Sequence, residues 1–252
     1  MTFFPKAFTA LALAASVALP LPAAALDDAQ KKEFGAFIKE YLIQNPEIMI
    51  DVQNALQKKQ EEARLVKANR AIEDNEKEIF DAKYDATVGN PKGDVTIVEF
   101  FDYNCGYCRQ ALADMQTLLE KDKNVRFVLK EFPILGPESA AAHKVADAFR
   151  KLAPEKYWDF HVALLGSGGR ADEDTALTVA ESLGIGKEQI RAEMKKSPND
   201  ESVQKTYQLA QNLGITGTPS YVIGNELVQG AVGAADLDTK IKNMRACGKT
   251  NC

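Results

Sequence analysis

The sequence predicts an α/β fold, a mixed sheet with helices packed on it, and three observations predict it. Val95-Thr96-Ile97-Val98-Glu99-Phe100-Phe101 is β-branched and aromatic and has the length of a buried strand. It leads through Cys105-Gly106-Tyr107-Cys108 into a helical pattern, Arg109 to Glu120, with Leu112, Met115, Leu118 and Leu119 at helical spacing. A second strand, Val125 to Phe132, follows that helix, the order of a parallel pair joined by a crossover. Later, Ser220 to Ile223 and Glu226 to Val228 flank Gly224-Asn225 as a hairpin does.

Taken in order, residues 1–25 read as an export signal. Lys6 is the positive start, Ala7 to Leu19 the apolar stretch, and Ala23-Ala24-Ala25 the small-residue cleavage site, with cleavage after Ala25. Pro20 and Pro22 interrupt the apolar run before it reaches the ~20 residues of a membrane span. Without that segment, 30 basic residues face 36 acidic ones, a formal charge of −6 against −5 for the whole chain. That balance excludes nucleic acid as the expected partner.

Residues 26–84 read as a helical segment and residues 85–252 as the domain proper. Phe34, Phe37, Ile38, Tyr41 and Leu42 form one amphipathic helix that stops at Gln44-Asn45-Pro46, because proline disfavours helix in the residue before it. Met49, Val52, Leu56, Ala63 and Val66 then recur at three- and four-residue steps, and Gln57 to Lys83 is densely charged. A helix so long and polar is marginal alone and needs a partner: the following domain, or other copies of the chain in a self-association stalk. Asp85 to Asp94, with Gly89-Asn90-Pro91 and Gly93, reads as a linker. After the second strand, about 137–213 is a helical insertion, with helices near Glu138–Leu152, Tyr157–Leu165, Thr175–Leu183, Lys187–Lys195 and Asn199–Leu213. A last helix, Ala234 to Arg245, follows the hairpin.

The two cysteine pairs differ. Cys105 stands where a strand hands over to a helix N-terminus, whose free N–H groups and dipole stabilise a thiolate, the nucleophile of thiol–disulfide exchange. Cys108, about one turn on, is placed to attack a mixed disulfide. Closing so short a loop restricts an unfolded chain little, so a structural role fits this pair poorly. Cys247 and Cys252, in a polar tail, read as a small terminal clip.

Val98 to Cys108, the helical insertion and Gly217-Thr218-Pro219-Ser220 together resemble DsbA-type thioredoxin-fold proteins. Glu40-Tyr41-Leu42-Ile43-Gln44-Asn45-Pro46-Glu47 is similar to the N-terminal extension of the ScsC (suppressor of copper sensitivity) branch. The resemblance implies a thioredoxin-like fold with an inserted helical domain, preceded by an N-terminal oligomerisation segment that forms a trimer. It implies a periplasmic thiol–disulfide oxidoreductase acting on exported proteins with disulfides or thiols, with a membrane redox partner of the DsbD or DsbB type and no cofactor. It also implies that Thr218-Pro219 is cis and that Thr218 offers its backbone to a substrate strand. Glu99 would be a buried acid that exchanges a proton with Cys108; an outward-facing strand residue is the alternative. Gly106-Tyr107 lacks the proline and histidine of strong oxidases and matches the Cys-Gly-Tyr-Cys of DsbC-type isomerases, so isomerase or reductase is expected ahead of oxidase.

Four thiolates could in principle bind zinc, although a strand–helix junction and a tail are not matching zinc knuckles. Paired thiolates at Cys105 and Cys108 suit copper(I), as a side activity or protective role. His143 and His161 read as helix-surface or core residues. An interaction protein built on the long helix, with idle thiols, is the third alternative.

Overall fold

The computed structural model describes residues 27–252; the export signal expected at residues 1–25 lies outside them. Two compact units divide the chain, one ending at Lys58 and the other spanning Lys59–Cys252.

In the first unit, α1 (Asp28–Gln44) begins at Asp27, whose carboxylate accepts from the Gln30 N–H at 2.8 Å, while the Gln30 side chain accepts from the Asp27 N–H. It ends before Pro46, as proline requires. The next helix, α2 (Glu47–Asp74), starts immediately after. Phe37, Ile38, Tyr41, Met49, Val52 and Leu56 all remain exposed.

The second unit is built on a five-stranded sheet, β1 (Ala86–Gly89), β2 (Val95–Phe101), β3 (Val125–Glu131), β4 (Ser220–Ile223) and β5 (Glu226–Gln229), in the order β1-β3-β2-β4-β5. β2 and β3 are parallel, joined through α4 (Gly106–Lys121); the other pairs are antiparallel. α5 (Pro137–Leu152), α6 (Tyr157–Leu165), α7 (Glu173–Ser182), α8 (Lys187–Lys196) and α9 (Asp200–Leu213) form the insertion, and α10 (Ala234–Cys247) closes the chain. Strand alternation sends Ile97 and Phe101 to one face, with α4, α10 and helices α5–α8 of the insertion, and Val98 and Phe100 to the other, with α9.

Two expectations are corrected. Asp85 to Asp94 is not simply a linker: Ala86 and Val88 face the core and β1 pairs with β3, after which Gly89 turns the chain at φ +81°. The long polar helix does not run to Lys83. It breaks at Asn75 into α3 (Glu76–Phe80), letting Ile72 and Ile79 bury against the face that carries Val98 and Phe100. The division expected between 84 and 85 therefore falls inside the second unit. The buried Lys130 fastens this junction from β3, donating to the Glu78 carbonyl at 2.6 Å and pairing with Asp85.

Candidate active site

Strand β2 ends at Phe101, and four residues turn the chain into α4. Asp102, wholly buried, organises them. Its carboxylate accepts from the Asn104 N–H (2.8 Å), the Leu135 N–H (2.9 Å) and the Ser139 hydroxyl (2.7 Å), and its carbonyl accepts from the Cys105 N–H (3.0 Å). Asn104 donates to Ser139 Oγ and the Ala171 carbonyl and accepts from the Ala171 N–H, so the turn is stitched to the insertion. The Tyr103 N–H donates to His143 Nε2 at 3.4 Å. His143 and His161 are both buried in the core, not on a helix surface. Asp102, Asn104 and Ser139 escape a motif search because, apart from the Asn104–Asp102 bond, their partners are 33 to 67 residues away in sequence.

Cys105 is the N-cap of α4 and Cys108 lies in its first turn; both are free thiols. Gly106 and Tyr107 between them are exposed, Tyr107 at 68%. The Thr218-Pro219 peptide is cis, and Cys105 as a thiol donates to the Thr218 carbonyl at 3.1 Å. As a thiolate it is stabilised chiefly by the Cys108 thiol, then by the Thr218 side chain and the Cys108 and Tyr107 N–H groups. Against the opposing effect of burial these lower its pKa to about 6. Burial and the donated bond drive Cys108 far the other way.

Glu99 shares a strand face with Ile97 and Phe101, toward α4, and is 2% exposed. Its neighbours in register are Leu129 and Tyr221, and among the described residues Oε2 has no hydrogen-bond partner. Burial, then the charges of Cys105 and Asp114, push its pKa up to about 8. The strand therefore turns Glu99 inward, not outward to solvent. Asp114 also accepts from the Ala234 N–H at 3.0 Å, tying α10 to α4 beside this acid.

Cys247 and Cys252 are joined in a disulfide and stand apart from this cluster. Arg245, just before them, pairs with Asp122 at the C-cap of α4, a helix about 24 Å long whose other end is Cys105. The thiols present together are therefore Cys105 and Cys108, and the four-cysteine zinc arrangement is not formed. The site so formed sets one acidic and one protonated thiol beside the half-buried Thr218.

Comparison with known proteins agrees with this fold. Residues 96–242 match the DSBA-like thioredoxin domain, and residues 30–63 match the copper resistance protein ScsC N-terminal domain. A thioredoxin-like oxidoreductase of Silicibacter pomeroyi DSS-3 is 41% identical, with TM-score 0.64, covering 68% of this chain and 98% of its own. The thiol-disulfide exchange protein alpha-DsbA2 of Wolbachia pipientis is 29% identical, with TM-score 0.68, covering 72% and 98%. Proteus mirabilis ScsC in a transitional conformation is 26% identical, with TM-score 0.64, covering 88% and 99%. The chain spans about a quarter of the length of the curated Na(+)/H(+) antiporter NhaA relatives it matches, and among its described residues no helix is long and apolar enough to cross a membrane. With more than half of its length matched, the chain belongs to the DSBA-like thioredoxin domain family, and it carries an N-terminal segment similar to the ScsC N-terminal domain.

Proposed function

We propose that this protein exchanges disulfides in exported polypeptides of the periplasm, as an isomerase or reductase ahead of a primary oxidase. The observation that carries the reading is the opposed acidity of Cys105 and Cys108 beneath Thr218. At neutral pH the Cys105 thiolate attacks one sulfur of a client disulfide. A mixed disulfide forms and one client thiolate leaves. If a client thiolate then attacks its own mixed disulfide, Cys105 is released as it began and the client has been rearranged. If Cys108 attacks instead, the client leaves reduced and Cys105–Cys108 is oxidised, to be re-reduced by a membrane partner of the DsbD type; an oxidase would draw on a DsbB type.

In its ionised form, a minor fraction at neutral pH, Glu99 takes the Cys108 proton in the second route, Gly106 and Tyr107 set the couple, and the Thr218-Pro219 edge pairs with the client strand. A thiolate at neutral pH stabilises the reduced form, which an isomerase needs. Exposed apolar residues of α1 and α2 support assembly into a trimer, placing several Cys105 sites on one client. Cleavage after Ala25, the role of 26–84 as the oligomerisation segment and the Cys247–Cys252 clip as a structural element belong to the same reading.

Scrambled ribonuclease tests it. The reduced full chain should restore activity catalytically and the Cys105→Ser variant should not; equal, background rates would refute the reading. A copper(I) role at Cys105 and Cys108 is favoured by the match of residues 30–63 to a copper resistance domain. Loss of both copper binding and exchange in Cys105→Ser would place both at one site.

A further inference from the structure

The helix α9 lies on the sheet face opposite α4, and its C-terminal end leads directly into the loop that carries Thr218. Two clefts lie against it and a third adjoins its N-terminal end, each sharing lining residues with the next. The first, about 410 Å³, is lined by Phe132, Gln204, Tyr207, Gln208 and Ile215 and reaches Thr216, two residues before Thr218. The second, about 370 Å³, shares Gln204 and Tyr207 with the first and extends to Lys144 and Asn199. The third, about 320 Å³, shares Lys144 and Asn199 and ends at Met194 and Lys195.

The α9 side of the lining is rich in carboxamides, while the far end also holds the charged Lys144, Glu173, Arg191 and Lys195. Gln204, Gln208 and Gln211 recur at helical spacing on one face of α9. All three are exposed, and their carboxamides have no hydrogen-bond partner among the described residues. Tyr207 stands among them, 40% exposed. Its hydroxyl is committed to the Pro133 carbonyl at 2.5 Å and its ring packs edge-on against Phe132 at 5.0 Å, which makes it a fixed apolar platform. Asn199, at the waist between the second and third clefts, is 4% exposed, and neither its nitrogen nor its oxygen is paired. A buried carboxamide without partners is costly, and turning toward a ligand with both a donor and an acceptor would recover that loss.

We propose that this face of α9 binds an extended, unfolded stretch of the client polypeptide, continuous with the strand that docks at Thr218. A carboxamide offers one acceptor and two donors without charge, the complement of a peptide group, so a row of them grips main chain whatever the side chains. The rigid ring of Tyr207 takes apolar side chains in passing. α9 is about 21 Å long, the span of roughly six extended residues. A client held there keeps several of its cysteines within reach of Cys105 while its disulfides are tried. The inference rests on the exchange reading above but is separable from it.

The probe is fluorescein-labelled ribonuclease A, reduced and S-carboxymethylated so that it stays unfolded and cannot exchange thiols. Its binding to the full chain carrying Cys105→Ser is followed by anisotropy. Saturable binding is expected, with hydrogen-exchange protection over residues 203–211. Adding Gln204→Ala and Gln208→Ala, exposed helix positions where alanine preserves the helix, should weaken binding about tenfold; Tyr207→Ser should do likewise. No binding, unchanged affinity in both variants, or protection confined to other elements would overturn the proposal. Insulin reduction by the same chain with Cys105 intact reports on exchange alone, so failure of either idea is seen independently.

Discussion

Cys105 and Cys108 are the same residue three positions apart, and their surroundings separate them. Cys105 has donors around its sulfur, whereas Cys108 is enclosed and donates to its neighbour. The third titrating group is Glu99, with its raised pKa of about 8. Because this value lies above that of an unfolded glutamate, the fold favours the protonated acid. The cost of ionising it is absent below about pH 4, grows as the pH rises and is complete above about pH 8. Glu99→Gln in the reduced protein should therefore raise unfolding free energy by on the order of 3 kcal/mol at pH 8 and by little at pH 4, read by urea denaturation. The same substitution should slow release of a Cys105 mixed disulfide by Cys108 about tenfold or more, read by stopped-flow fluorescence, since Glu99 is the carboxyl whose charge acts on Cys108. An unchanged release rate would remove Glu99 from the proton route.

At the scale of elements, β1 shows what local patterning hides. With two apolar residues and a turn-rich sequence after them, it has too few positions for a period of two to be visible; it becomes a strand only because β3 offers an edge. Its end is tightly specified. Gly89 has φ +81°, and a Cβ there would stand 2.6 Å from the Val125 carbonyl. Gly89→Ala should accordingly cost about 1–3 kcal/mol of stability in denaturant unfolding while leaving Cys105 alkylation unchanged. β2, β3, the hairpin and the five insertion helices were legible because each carries a full period of apolar residues or ends at Pro or Gly. The break at Asn75 was not, since it serves the burial of Ile72 and Ile79 against strands that come later in the chain. In the site, the Cys105 motif was legible in the sequence. Asp102, Asn104 and Ser139 act through contacts that only folding creates.

For the whole molecule, α1 and α2 carry a run of exposed apolar residues that a partner surface would cover. If copies of the chain cover them, Phe37→Glu with Val52→Glu should lower the mass seen by light scattering to that of one chain, and equal masses would refute self-association. A shortened chain should begin at Lys59, because starting near Asp85 strips Ile72 and Ile79 from the second unit. Scrambled-ribonuclease activity present in the assembly and lost in the dissociated variant would join the helices to the chemistry. All of this serves one chemical arrangement, an acidic thiol presented beside a protonated one. Alkylation of the reduced chain by iodoacetamide, followed by mass spectrometry across pH, tests it most directly. Cys105 should be modified first, with a rate that rises through about pH 6, while Cys108 stays protected. Equal labelling of the two, or a Cys105 profile rising only above about pH 8, would contradict it.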